Sequence, residues 1–164
     1  MSISQAVQNR INSIPVGQVF GYRDLPDYAE APLAVAQAMS RMVSAGRVKR
    51  LSKGKFYVPR KGRMGLRKPS DSALVRSVLY DGERLRGYIT GLALFNRLGL
   101  TTQVPRMVTV AIEGGRREKD FGTIRIKTVP SRFPVREEDV PLFECLDVLR
   151  GIKSIPDTDI NQVL

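Results

Sequence analysis

Proline and glycine cut the first sixty residues into pieces too short for anything but a small, tightly turned domain. Pro15 and Gly17 stop the first piece, Pro26 limits the second, Pro32 opens the third and Gly46 closes it, and Gly54 sits between two β-type runs. Within the pieces the hydrophobic period gives the element type. Ile3, Val7, Ile11 and Ile14 recur at steps of four, four and three, one face of a helix, which Ser2 or Ser4 caps. Val19 and Phe20 read as a short extended piece, and Tyr22 to Leu25 as a short helix. The run PLAVAQAMSRMVSAG puts proline in the first helical turn and glycine at the C-cap. Its apolar stripe is Val35, Ala36, Met39, Met42 and Val43. VKRL and KFYVP are then strands joined through Ser52-Lys53-Gly54, with Val48 and Leu51 expected inward near Phe56 and Val58.

Helix, short helix, helix, hairpin is the order of a winged helix-turn-helix, in which the second helix of the pair enters the major groove and the hairpin touches flanking backbone. Charge placement agrees with that order. The formal net charge is +11; residues 1–69 hold thirteen Lys/Arg against three acids, and residues 70–164 fourteen against thirteen. A basic module joined to a nearly neutral one points to nucleic acid as the partner of the first. The outer face of the third piece carries Ala34, Gln37, Arg41 and Ser44, short or hydrogen-bonding side chains suited to close approach to base edges. A merely solvated face would carry Glu as well as Lys, yet Ala31 to Gly46 holds no acid. From Arg47 to Lys68, ten of twenty-two residues are Lys or Arg and none is acidic. The expected DNA-contacting set is Arg23, Ala34, Gln37, Arg41, Ser44, Lys49, Lys53, Lys55, Arg60, Lys61 and Arg63. The glycine-containing stretch RKGRMGLRKP reads as a flexible linker or as an arm for a minor groove.

The composition changes after this stretch, giving an expected division into a winged helix-turn-helix at 1–66 and an α+β domain at 67–164. Ser70-Asp71-Ser72 opens a helix to about Leu79, Asp81-Gly82 turns the chain, and Tyr88 to Leu98 reads as a helix with a short lead-in. Met107 to Ile112 and Thr123 to Val129 are β-rich, and the polar GGRREKDFG between them predicts neighbouring antiparallel strands. Ile124, Ile126 and Thr128 share one face of the second. Leu142 to Leu149 is a last helix behind Glu137, Glu138 and Asp139, and the closing INQVL is in mid-pattern for another. The fold class expected is α+β.

Absences narrow the chemistry. The chain has no histidine and one cysteine, so the commonest acid–base group and the usual zinc ligands are missing, and no cofactor or metal is expected. A lone Cys145 forms no internal disulfide, and no apolar run nears the ~18 residues of a membrane span. A cytoplasmic, non-enzymatic protein with no membrane partner is the expectation. Two other readings stay open. One is a Mg²⁺-dependent nuclease using Glu113, Glu118 and Asp120 beside Lys119, although a solvated loop is the commoner meaning of such a cluster. The other is an RNA-binding basic module, whose stacking platforms would be Tyr22, Tyr28, Phe56 and Tyr57.

The run LGLTTQVP (Leu98 to Pro105), preceded by RGYITGLALFNRLG, resembles the AbiEi-type antitoxins of abortive-infection toxin–antitoxin systems. So do G-x-V-F-x-Y-x-D-L from Gly17, R-x-V-x-x-G from Arg41 and R-L-x-K-G-x-F-Y-x-P from Arg50. The resemblance covers about residues 15–150. It implies an N-terminal winged helix that represses its own operon by binding promoter repeats, and a C-terminal half that opposes a nucleotidyltransferase-like toxin without requiring a tight complex. For Thr101, Thr102 and Gln103, the residues favour satisfaction of backbone groups at a helix–strand junction, with a toxin- or tRNA-binding surface as the alternative.

Overall fold

A computed structural model describes residues 2–156. The protein is α+β, and it divides into two compact units. Residues 2–77 with Asp81–Glu83 form the first, so it runs past Leu66 to take in most of one more helix. Val78–Tyr80 with the described residues from Arg84 onward form the second.

The first unit begins with α1 (Ile3–Ser13), where the Ser2 hydroxyl accepts from the Gln5 N–H at 3.3 Å. Strand β1 (Val19–Gly21) and a 3-10 turn (Tyr22–Asp24) lead to α2 (Pro32–Ser44). Gly46, at φ +70°, lets the Arg47 N–H reach back to the Met42 carbonyl at 3.1 Å, which ends α2 and directs the chain into a sheet. Strands β2 (Lys49–Ser52) and β3 (Lys55–Tyr57) turn on Gly54, also left-handed at φ +72°, and β1 completes an antiparallel sheet of order β1-β3-β2. One core joins the helices to the sheet: Val7, Ile11, Ile14, Phe20, Leu25, Val35, Ala38, Met39, Val48 and Phe56 are all buried in it. Val58 packs against this core as expected, while Leu51 is only half-buried. The ladder slips between Arg50 and Ser52, so Leu51 does not follow the two-residue alternation.

The stretch expected as linker or arm is instead ordered. It forms a second hairpin of β4 (Arg60–Gly62) and β5 (Gly65–Arg67), turning through Arg63-Met64. Gly65, at φ +108°, follows the turn in the position where a bulged hairpin connection takes a glycine. Helix α3 (Asp71–Leu79) follows, its start bonded by the Ser70 hydroxyl, with Leu74 and Val75 buried. Strands β6 (Tyr80–Asp81) and β7 (Arg84–Leu85) make a minimal hairpin turning at Gly82.

The second unit departs from expectation in three places. Tyr88 to Leu98 is not mainly helix: β8 (Gly87–Thr90) comes first, and after Gly91 the helix α4 (Leu92–Arg97) has only six residues. The β-favouring Tyr-Ile-Thr triplet explains the split. The loop GGRREKDFG contains a strand, β10 (Arg117–Asp120). For that reason β9 (Met107–Ile112) and β11 (Arg125–Pro130) are parallel rather than antiparallel, in a sheet of order β10-β11-β9-β8. The chain reverses twice between them, once into β10 and once out of it, so β11 runs the same way as β9. On β11, Ile126 and Thr128 are buried and Arg125 and Lys127 exposed, the alternation expected. Buried Thr128 is satisfied: its hydroxyl donates to the Gly115 carbonyl and accepts from the Arg117 N–H. A 3-10 turn (Glu137–Asp139) leads into α5 (Val140–Gly151). The further helix expected at INQVL lies outside the described residues.

Candidate nucleic-acid interface

Helix α2 turns Val35, Ala38 and Met39 into the core, which fixes what its other side shows. Gln37, Arg41 and Ser44 are exposed, as expected, and so are Leu33 and Ser40. Ala34 is corrected: it lies half-buried on the flank, and Leu33, 80 % exposed, occupies the outer face near the helix start. The expected stripe had taken in Ala36 in place of Ala38. Centring the helical period on Val35, Ala38, Met39 and Met42 recovers Leu33 and Ser40, so the signal was present in the sequence.

Among the strand cations the structure separates outward from inward charges. Arg50, Lys53, Arg60, Lys61, Arg63, Arg67 and Lys68 are exposed. Lys49 is half-buried, and its neighbour Arg50 takes the outward position on β2. Two expected DNA contacts face the protein's own acids. Arg23 is ion-paired with Asp81. Lys55 is half-buried and shares a shallow concavity with Arg23, Asp24 and Asp81. Arg23 keeps a largely exposed side chain beside its acid, whereas Lys55 is partly covered.

The aromatic side chains proposed as stacking platforms are occupied internally. Phe56 and Tyr57 are buried, and half-buried Tyr22 stacks on Tyr28 with centroids 5.2 Å apart while meeting Phe56 edge-on. The carboxylates of the nuclease reading are likewise committed elsewhere. Glu113 pairs with Arg84 and accepts the Val135 N–H at 2.8 Å. Glu118 and Asp120 lie on exposed β10, where Asp120 accepts from the Gly122 N–H at 2.7 Å. Among the described residues, no group of three or more carboxylate or cysteine side chains could hold a metal ion.

In the second unit a cavity of about 280 Å³ lies between α5 and the sheet, lined among others by Tyr88, Thr90, Asp147, Arg116 and Arg132. Thr90 donates to Asp147 at 2.6 Å, and burial first, then the Asp147 charge, pushes the Tyr88 hydroxyl up to about 12. Thr101 has the junction role expected of it: its carbonyl accepts from Asn96 and its hydroxyl from the Gln103 N–H.

A model of a family described as of unknown function, DUF6088, matches residues 6–160. The chain belongs to the DUF6088 family. No curated protein and no solved structure matches it. The DUF6088 match runs through both compact units. Among the described residues no helix is long and apolar enough to cross a membrane.

Proposed function

We propose that this protein is a sequence-specific DNA-binding repressor whose first unit is a winged helix, with α2 in the major groove and the β2–β3 turn on the flanking backbone. The observation that carries the reading is the acid-free stretch from Ala31 to Pro69, which holds eleven Lys/Arg, most of them exposed. Such a surface matches a polyanion, and the outer face of α2 matches base edges. Leu33 meets thymine methyls, Gln37 pairs with adenine and Arg41 with guanine. The exposed cations Arg50 and Lys53 take phosphates, which positions the protein without reading sequence.

The biological setting we propose is an antitoxin that represses its own operon and opposes a nucleotidyltransferase-like toxin, acting in the cytoplasm. Support for that step is the likeness of Gly17–Leu25, Arg41–Pro59 and Leu98–Pro105 to AbiEi-type antitoxins. The experiment is a gel shift on the promoter of its own gene against a random duplex. Gln37→Ala with Arg41→Ala is expected to erase the preference for the promoter while leaving residual non-specific binding. Unchanged promoter preference in that double variant would refute the role given to α2.

A further inference from the structure

We propose that the β4–β5 hairpin bends DNA: its tip enters the minor groove and Met64 wedges between adjacent base pairs, with Arg63 beside it. The inference rests on the DNA-binding reading above and adds to it a groove, an inserted side chain and a distortion of the duplex.

The tip is the first observation. Met64 is wholly exposed, in the two-residue turn beyond the last cross-strand pair, Gly62 with Gly65. Met64 is an unbranched apolar side chain held in water beside Arg63, uncovered by any described residue. Phosphates and base edges do not favour such a group. The space between stacked bases does, and it is reached from the minor groove by apolar wedges of this kind, methionine included. Strands of three residues at about 3.3 Å each give a reach of roughly 10 Å, enough for a minor groove about 7.5 Å deep.

The charge pattern of the strands is the second. Arg60 stands directly opposite Arg67 in the ladder, and neither strand pairs with any third among the described residues. Like charges facing each other across a ladder weaken it, and a lone two-stranded ribbon is marginal in water. The hairpin thus holds a repulsion that flanking phosphates would relieve. Gly62 keeps this face thin, since a Cβ there would lie 2.9 Å from the Arg67 Nε. The facing pair Lys61 and Leu66 lines a shallow concavity with Ile14, Val16, Ala45 and Pro59 of the same unit. Both residues of that pair remain exposed, so the ribbon stands out from the unit along its length as well as at its tip.

The test uses the full chain with two short duplexes, one from upstream of its own gene and one of random sequence, labelled at both ends for energy transfer. The wild type is expected to bend the bound duplex by about 20–90° and to be displaced by the minor-groove ligand netropsin. Met64→Ala is expected to bind within about tenfold of wild type and leave the duplex straight, while Met64→Leu keeps the bend. Substitution at so exposed a site leaves the fold intact, which circular dichroism checks. A duplex bound but straight with the wild type, or bent equally by Met64→Ala, overturns the inference and leaves the DNA-binding reading standing. Failure of the wild type to bind either duplex overturns both. Self-association of the DNA-free wild type that Met64→Ala abolishes would assign the tip to a protein contact instead, and also overturns it.

Discussion

Asp147 gathers three neighbours at once: the Thr90 hydroxyl at 2.6 Å, the Tyr88 hydroxyl, and the Arg150 guanidinium 3.6 Å from its other oxygen. Tyr88 is raised from 10 to about 12 by burial, then by the Asp147 charge and hydrogen bond, with Arg150 and Arg132 pulling the other way. A raised folded value means that the unfolded chain loses this proton first, so the contribution is fully present below pH 10 and is lost as pH rises toward 12. Tyr88→Phe removes the titrating proton. Its melting temperature is expected to fall less between pH 9 and pH 11 than that of the wild type. Close by, Gly87 pairs with Ile112, and a Cβ at 87 would lie 2.5 Å from the Ala111 carbonyl oxygen and 2.6 Å from Ile112 Cγ2. The first of these is backbone and cannot swing aside. Gly87→Ala is expected to destabilise by about 1–3 kcal/mol in urea unfolding.

Helix α2 separates packing from the proposed recognition by face. Met39 is fully buried, and Met39→Ala is expected to cost about 2–5 kcal/mol by thermal or urea melting. Exposed Arg41→Ala is expected to move stability by less than about 0.5 kcal/mol while removing promoter preference. The reverse pattern would place Arg41 among the packing residues. The hairpins carry a different readout. Replacing Arg50 and Lys53 by alanine is expected to weaken binding to promoter and random duplex alike, lowering the slope of log affinity against log salt by about 0.9 for each phosphate left without its cation. Lys55→Ala, whose charge shares a concavity with Asp24 and Asp81, is expected to change that slope less. At this scale α1, α2, the β2–β3 hairpin and the β11 alternation were legible because each depends on neighbours within a few residues. The partner of Arg23 was not, since Asp81 lies 58 residues from it in sequence.

The whole molecule couples a strongly cationic unit to one of nearly balanced charge, and the family match embraces both. The proposed DNA affinity belongs to the first. If six of its exposed cations each neutralise a phosphate, log affinity falls against log salt with a slope of about −5 for the full chain. Local period, caps and turn glycines, with the confinement of positive charge, determined from the sequence alone the α+β class, the element order of the first unit as far as β3 and the cationic character of its surface. Those are properties of side chains a few positions apart. Tertiary structure alone decided that β9 and β11 run parallel and that Glu113 serves Arg84 and Val135. Each of these depends on which distant backbone or charge a segment meets once the chain has closed, and no local pattern encodes that choice.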